Sequence, residues 1–294
     1  MLKDLTIVAV DSLNYEATAM ALDKTREIFP EAKVITFSDK NFYPDSTFYQ
    51  TSKFDAKEHS RICLHEVGDK LETTYVMFIQ YDGFPTNKDC WSDEFLKYDF
   101  IGAPVRMDTD SYVVDYDNFF VGNGGFSLRT KRLMMLTKNI EQQFVDGDDS
   151  FWLEDMLICH KNRSWLENMG IAFAPLELAQ QFSKGETLGL ESTLGFHMHN
   201  LVPEYCGKEY TLKWLNAIDD SVILKKNLYC IPYYLWKWNE LDYLRSFMLR
   251  AQSLNEGWKD RCWEECRWRV HLIYPNEELF EIQKMITVYG YTGP

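Results

Sequence analysis

Three short apolar runs, each closed by an acidic residue, constrain this chain more than any other feature. Leu5–Val10 (LTIVAV), residues 32–37 (AKVITF) and residues 75–80 (YVMFIQ) are continuous stretches rich in β-branched side chains. Such runs suit strands covered on both faces rather than on one. Between the first two, Tyr15–Ile28 carries apolar residues at helical spacing and meets Pro30, a helix stop. Residues 56–71 read as a second helix, and the polar, aromatic residues 41–54 as a loop over a site. The resulting order, strand–helix–strand–loop–helix–strand, requires parallel strands joined by crossovers and hence an α/β sheet. Ligands of such sheets bind beyond the carboxyl ends of the strands. Here those ends are Asp11, Asp39 and Asp82, although acids also occur at ordinary turns.

After Asp82 the pattern becomes less regular. Residues 83–85 read as a turn, 91–98 as a short helix and 100–104 as a strand entering a break. Residues 119–128 carry the turn Gly122-Asn123-Gly124-Gly125 before a helix starting near Thr130. The acidic residues 146–149 would cap a helix over 150–162. A short strand at 171–174 and residues 177–182 then lead to Gly195-Phe196-His197-Met198-His199. Beyond Val202-Pro203, residues 211–289 read mostly as helix, with Trp236, Trp238, Trp258, Trp263 and Trp268 among charged residues. The expected organisation is an α/β domain over 1–202 and a helical segment over 203–294.

The composition, 46% hydrophobic and 26% charged over 294 residues, is that of a folded chain. Net charge is −14, and 32 of the 45 acidic residues but 19 of the 31 basic ones precede residue 200. That imbalance opposes duplex DNA binding over the first two-thirds. No stretch approaches the ~20 apolar residues that span a bilayer. Asp11 follows the first apolar run too closely for a signal peptide. Seven cysteines at 63, 90, 159, 206, 230, 262 and 266 form no CxxC pair, which reads as reduced thiols in a cytoplasmic protein. The sequon Asn162-Arg163-Ser164 then has no glycosylation role.

Five segments are the informative ones: Gln80-Tyr81-Asp82-Gly83-Phe84, Tyr98-Asp99-Phe100-Ile101-Gly102-Ala103-Pro104, Gly122-Asn123-Gly124-Gly125-Phe126-Ser127-Leu128-Arg129, Glu154-Asp155 and Phe196-His197. In this order they resemble a poorly characterised family of bacterial and viral glycosyltransferase-like proteins with the GT-A fold. The resemblance covers roughly residues 5–200, and the GNGGFSLR segment is its most specific piece. It implies a GT-A-type, mostly parallel sheet flanked by helices, with the C-terminal helical segment outside it. It also implies a hexosyl- or pentosyltransferase taking a nucleotide-sugar donor, most simply a UDP-sugar, to an unidentified hydroxyl acceptor. No residue distinguishes uracil from guanine, and the acceptor is open among glycan, lipid, protein and modified nucleic acid.

The resemblance also implies roles. A diphosphate leaving group gains negative charge, which a divalent cation (Mn2+ or Mg2+) held by carboxylates neutralises. Where GT-A enzymes place a DxD motif this chain reads Gln80-Tyr81-Asp82, so only one motif carboxylate is present. Asp82 with His197 is the implied metal pair, and His199 is the close rival because alternate strand positions share a face. Val10, Asp11, Ser38, Asp39, Gln80, Asp82 and Lys184 are the implied donor contacts. Lys184 and Arg129 suit phosphate, and equally suit surface charge. Asn123, Gly124 and Gly125 would lie under the sugar and acceptor. Asp155 is the implied general base of an inverting reaction and Glu154 its acceptor-orienting neighbour. The alternative for both is favourable placement at a helix start.

Two other function classes fit the residues. One is a non-catalytic nucleotide-sugar or glycan-binding module that kept the sheet, favoured by the missing motif acid. The other is a transferase glycosylating modified bases in nucleic acid, with C-terminal tryptophans and Lys225, Lys226, Arg267 and Arg269 on a single strand. A packed helical bundle with solvated charges explains those same residues.

Overall fold

The first apolar run forms β1 (Leu5–Val10), whose residues are all 0–6% exposed. The computed structural model describes residues 3–106, 119–141, 153–185, 192–225, 228 and 230–255, and the chain divides into two compact units, 1–197 and 198–294. In chain order the first unit contains β1, α1 (Tyr15–Ile28), β2 (Lys33–Ser38), β3 (Thr47–Gln50), α2 (Ala56–His65), α3 (Val67–Lys70), β4 (Tyr75–Phe78) and β5 (Gly83–Pro85). There follow β6 (Phe100–Gly102), β7 (Pro104–Arg106), β8 (Phe119–Val121), β9 (Ser127–Thr130), α4 (Lys131–Thr137) and α5 (Glu154–Met156). A π-helical turn over Leu157–Lys161, α6 (Arg163–Asn168), α7 (Leu176–Phe182), β10 (Ser183–Lys184) and β11 (Gly195–His197) complete it.

The main sheet has the order β3-β2-β1-β4-β9-β6. β1 is central and pairs in parallel with β2 and β4. Its faces are both covered, which is why its sequence does not alternate. Val8 and Val10 join Ile62, Cys63, Val67, Val76, Phe78 and Met134 in one core. Ile7 and Ala9 point the other way by strand alternation, and α1 packs against β1. The fold is therefore α/β with a mostly parallel sheet flanked by helices, as expected. β9 is the antiparallel member, paired with both β4 and β6.

Several boundaries differ from the sequence reading for physical reasons. The span 41–54 contains β3, an edge strand whose Thr47 and Gln50 are exposed, so it lacks the apolar signature of a buried strand. The third run ends as a strand at Phe78, because Gln80 and Gly83 exchange backbone hydrogen bonds of 2.8 and 3.0 Å in a tight reversal. The helix expected over 56–71 divides at Glu66. β9 was hidden in sequence by adjoining glycines and by Arg129 at its centre. Residues 146–149 and the start of the helix expected over 150–162 lie outside the described residues; the described part begins at Glu154.

Asp99, within the YDFIGAP segment, is a structural joint. Its Oδ1 accepts from Thr130 Oγ1 at 2.6 Å and its Oδ2 from the Ala172 amide at 3.0 Å, tying β6, β9 and residues 171–174 together.

The second unit holds α8 (Val202–Ala217), α9 (Asp220–Ile223), α10 (Ile231–Lys237) and α11 (Leu241–Leu254). Trp214, Ile223, Leu235 and Leu244 are fully buried in it. Arg250 joins Asp220 at 2.7 Å and the carbonyls of Leu215 and Ile218 at 3.0 Å. Trp236 and Trp238 contact Tyr233 and Tyr234 respectively, as in a packed bundle. Trp258, Trp263, Trp268, Lys226, Arg267 and Arg269 lie outside the described residues. Among the described residues no helix is long and apolar enough to cross a membrane.

Replacing Asp99 by Ala removes one part-buried and one exposed hydrogen bond, and bonds of this kind contribute about 0.5–1.5 kcal/mol each. Urea unfolding of Asp99→Ala should show a lower midpoint with an unchanged slope, and an unchanged midpoint would remove the joint from the account.

Candidate functional site

Parallel pairing of β1 with β2 and β4 brings Asp11, Asp39 and the Gln80–Gly83 reversal to one edge of the sheet. They divide the work unequally. Asp11 Oδ1 accepts from the amides of Leu13 (2.6 Å) and Asn14 (2.8 Å), and its Oδ2 accepts from Thr18 Oγ1. Burial pushes its carboxyl above the usual range against those bonds. Its oxygens are therefore engaged in starting α1. Asp39 Oδ1 accepts from the Tyr15 hydroxyl at 2.8 Å. Burial and then that carboxylate push Tyr15 up to about 12, so it remains a neutral donor. Lys40 Nζ lies 3.5 Å above the Tyr15 ring, and Phe42 packs beside it at 5.8 Å. Tyr15, Lys40 and Phe42 thus join Ser38 and Asp39 at the strand end; sequence reasoning missed them because they lie on a helix and a loop.

The Gln80–Gly83 reversal turns the chain from β4 into β5, and β5 pairs antiparallel with β11. That register sets Gly83 opposite His197, so a residue more than a hundred positions later arrives beside Asp82. His197 Nε2 is 3.2 Å from Gln80 Oε1 and 3.8 Å from Asp82 Oδ1. Asp82 is 3% exposed. β11 ends at His197, and His199 opens a short helical turn of the second unit, after Met198 at φ 145°, with its ring 6.3 Å from Trp214. Lys184 pairs with Phe196 in the β10–β11 ladder and is 5% exposed, so it is a buried residue and not a surface charge.

The glycine turn joins this group to the second pair of acids. An added Cβ at Gly125 would fall 2.1 Å from His197 Nε2 and 2.8 Å from Gln80 Oε1. At Gly124 it would fall 2.5 Å from Glu154 Oε1 and 2.8 Å from the Asp155 Cβ. Only backbone without side chains fits between the two groups. Asn123 Oδ1 accepts from the Gly125 amide at 3.0 Å, and Asp155 Oδ2 accepts from the Gly124 amide at 3.1 Å. Asp82 and Asp155 therefore belong to one cluster, on either side of two glycines.

Arg129 sits behind that turn with no exposure. It donates to Glu154 Oε1 at 2.9 Å, to the Gly124 carbonyl at 3.3 Å and to Ser127 Oγ at 3.0 Å, with the Phe78 ring 4.0 Å away. The alternative of a surface charge is thus excluded. Burial works against ionising Glu154, but the Arg129 charge and hydrogen bond, helped by His59, hold its carboxyl below the usual range. Asp155 is only half-buried. Burial and then the Glu154 charge push it up to about 7, against the Gly124 and Met156 amides and Arg129. Ionised carboxylate and readily protonated carboxyl are thus adjacent. The π-helical turn that follows them, Leu157–Lys161, is a form frequent at functional sites.

Metal fit is limited. Among the described residues no cluster of three His, Cys, Asp or Glu could hold an ion. Asp82 Oδ1 and His197 Nε2 are two convergent donor atoms, with Gln80 Oε1 a neutral third. This suits a hard cation that takes the rest of its shell from water and substrate phosphate. A cavity of about 630 Å³ lies at the opposite strand ends, lined by Thr6, Lys33 and Thr47 among others. Of its charges, Arg26 pairs with Asp45 at 3.1 Å and Lys33 with Glu72, while Lys70 Nζ lies 5.1 Å from the Tyr49 ring.

The chain belongs to the family described as "Protein of unknown function (DUF5672)", which matches residues 45–197. No curated protein matches it in sequence. Among solved structures it is similar to the bifunctional IspDF from Campylobacter jejuni, at 12% identity and a TM-score of 0.36 over 58% of this chain. That likeness spans 48% of the IspDF chain, so about half of it. It is also similar to the mannosyltransferase PcManGT from Pyrobaculum calidifontis, determined in complex with GDP-Man and Mn2+. There the identity is 8% and the TM-score 0.39, over 98% of this chain and 81% of that one.

Two outcomes follow from the geometry. Gly125→Ala forces His197 or Gln80 to move, and such overpacking costs about 1–3 kcal/mol; the His197 ring resonances should shift, and unshifted resonances would refute the contact. A carboxyl whose folded pKa is raised above its unfolded value opposes folding once ionised. Asp155 should therefore make stability fall as pH rises from about 4 to about 7. Asp155→Asn should flatten that part of the stability–pH curve, and an unaltered slope would contradict the raised value.

Proposed function

We propose that this DUF5672 protein is a glycosyltransferase that moves a sugar from a nucleotide-sugar donor to a hydroxyl acceptor with inversion. The observation that carries the reading is the Gly124–Gly125 backbone, which touches the Asp82–His197 group on one side and the Glu154–Asp155 pair on the other. A diphosphate-handling end and a proton-accepting end meeting at one turn are what such a transfer requires.

In this reading the nucleotide lies along the ends of β1 and β2, against Tyr15, Ser38, Asp39 and Lys40. Asp11 acts there through the chain turn that it holds. Asp82, His197, Gln80 and Lys184 face the diphosphate. A bound Mn2+ or Mg2+ would supply charge neutralisation for the departing phosphate oxygens, with Asp82 and His197 holding it. The sugar rests over the backbone of Gly124 and Gly125, beside the Asn123 side chain. Asp155 accepts the proton of the acceptor hydroxyl as that oxygen forms its bond to the anomeric carbon. The bond from the anomeric carbon to phosphate oxygen breaks, and its electron pair leaves with the nucleoside diphosphate. A base working near neutral pH is most effective when its own pKa lies near that pH, which the environment of Asp155 provides.

The test uses the purified protein with a panel of UDP- and GDP-sugars, water serving as acceptor, and Mn2+ present. Slow donor hydrolysis is expected, falling about 100-fold or more in Asp155→Asn while donor affinity by calorimetry is retained. Asp82→Ala should weaken donor affinity instead. Donor binding without turnover would favour the non-catalytic binding module. No binding of any donor, or full turnover in Asp155→Asn, would reject the proposal.

A further inference from the structure

Arg129 is fully buried in a short strand at the centre of the site, yet as the last residue of the glycine-rich segment it reads in sequence as a phosphate contact or a surface charge. Its donors are directed inward. One guanidinium nitrogen serves both Glu154 and the Gly124 carbonyl, and Nε serves Ser127, whose hydroxyl in turn donates to that same carbonyl at 2.9 Å. The Glu154 amide faces Ser60 Oγ on α2 at 3.3 Å. Glu154 is 5% exposed, whereas Asp155 is half-buried. Of the two adjacent acids, Asp155 is the more exposed, and Glu154 is held from behind.

We propose that the Arg129–Glu154 ion pair is a positioning device that locks the Gly124–Gly125 turn against the Asp155 carboxylate, and that Glu154 never touches substrate. This rests on the glycosyltransferase reading and revises the acceptor-orienting role expected for Glu154. The lock is geometric. Arg129 holds the Gly124 carbonyl, the Gly124 amide holds Asp155 Oδ2, and neither of the two peptide units flanking the Gly124 Cα can rotate without breaking one of these bonds. It is also electrostatic: among the described residues, the charged and titratable groups around Asp155 are Glu154, Arg129, Cys63 on α2 and Cys159 on the π-helical turn, with His59 acting on Glu154. Glu154 is the anion nearest in sequence, and its ionisation favours the protonated form of its neighbour.

The test is carbon-13 NMR of the aspartate carboxyl groups in the ligand-free protein, titrated between pH 4 and 9, in wild type, Glu154→Gln and Arg129→Lys. Asp155→Asn identifies the resonance. Glutamine keeps an acceptor oxygen for Arg129 and nearly the same volume. In Glu154→Gln the Asp155 midpoint should fall, with proton affinity reduced about tenfold or more. In Arg129→Lys, which keeps the charge but loses the fork, the Gly124 and Gly125 amides should exchange with solvent faster. An Asp155 midpoint unmoved in Glu154→Gln, or turn amides equally protected in Arg129→Lys, overturns the proposal. So does a Glu154→Gln protein whose only defect is a raised KM for an acceptor, because that is the behaviour of a substrate contact. These resonances are read without any donor, so failure of the hydrolysis assay would reject the transferase reading and leave the positioning result to stand or fall separately.

Discussion

A guanidinium removed from water loses solvation worth several kcal/mol even after the protein relaxes, on the order estimated for buried ions generally. Arg129 is held with no exposure at all, and much of the site is arranged around two of its nitrogens, the third, Nη1, having no hydrogen-bond partner among the described residues. Glu154 supplies the countercharge, the Gly124 carbonyl and Ser127 hydroxyl take further donors, and Phe78 lies against the cation. Each partner is thereby fixed. With Glu154 committed, Asp155 becomes the adjacent acid that faces outward, and with Gly124 committed, its amide is set on Asp155. Breaking such a pair from one side leaves an uncompensated charge, which is far worse than never having built it.

The other half of the site depends on strand register rather than charge. The tight Gln80–Gly83 reversal sends the chain out of the main sheet into a small one, where β11 pairs with β5. A slip of one residue there would turn His197 to the opposite face and remove it from Gln80 and Asp82. The glycine turn then has to pass between His197 on one side and the acids on the other, leaving no volume for a Cβ. One sheet edge, one reversal and one glycine turn thus bring together residues that are over a hundred positions apart in the chain.

Much of this was legible in the sequence. Apolar runs without alternation located β1, β2 and β4, because strands covered on both faces are apolar at most positions, and their acidic ends lie together at one edge of the sheet. β3 was missed because an edge strand needs no apolar run. β9 was missed because its central residue is an arginine, and nothing in a single sequence tells a buried, paired arginine from a solvated one. The same ambiguity obscured Lys184. Asp11 was legible as a strand-end acid, but its bonds to Leu13, Asn14 and Thr18 arise only once α1 folds back. Tyr15 and Lys40 carried no motif. The end of β11 at His197, before Met198 at φ 145°, is a backbone feature that side-chain spacing does not encode.

The central claim is that a nucleotide sugar lies across the Gly124–Gly125 turn, between the Asp82–His197 group and Asp155. Crystals of the protein soaked with Mn2+ and an intact nucleotide sugar test it directly. The account predicts an anomalous manganese peak beside Asp82 and His197 and an anomeric carbon on the Asp155 side of the glycines. A nucleotide sugar bound elsewhere on the molecule, with this turn uncovered, would contradict it.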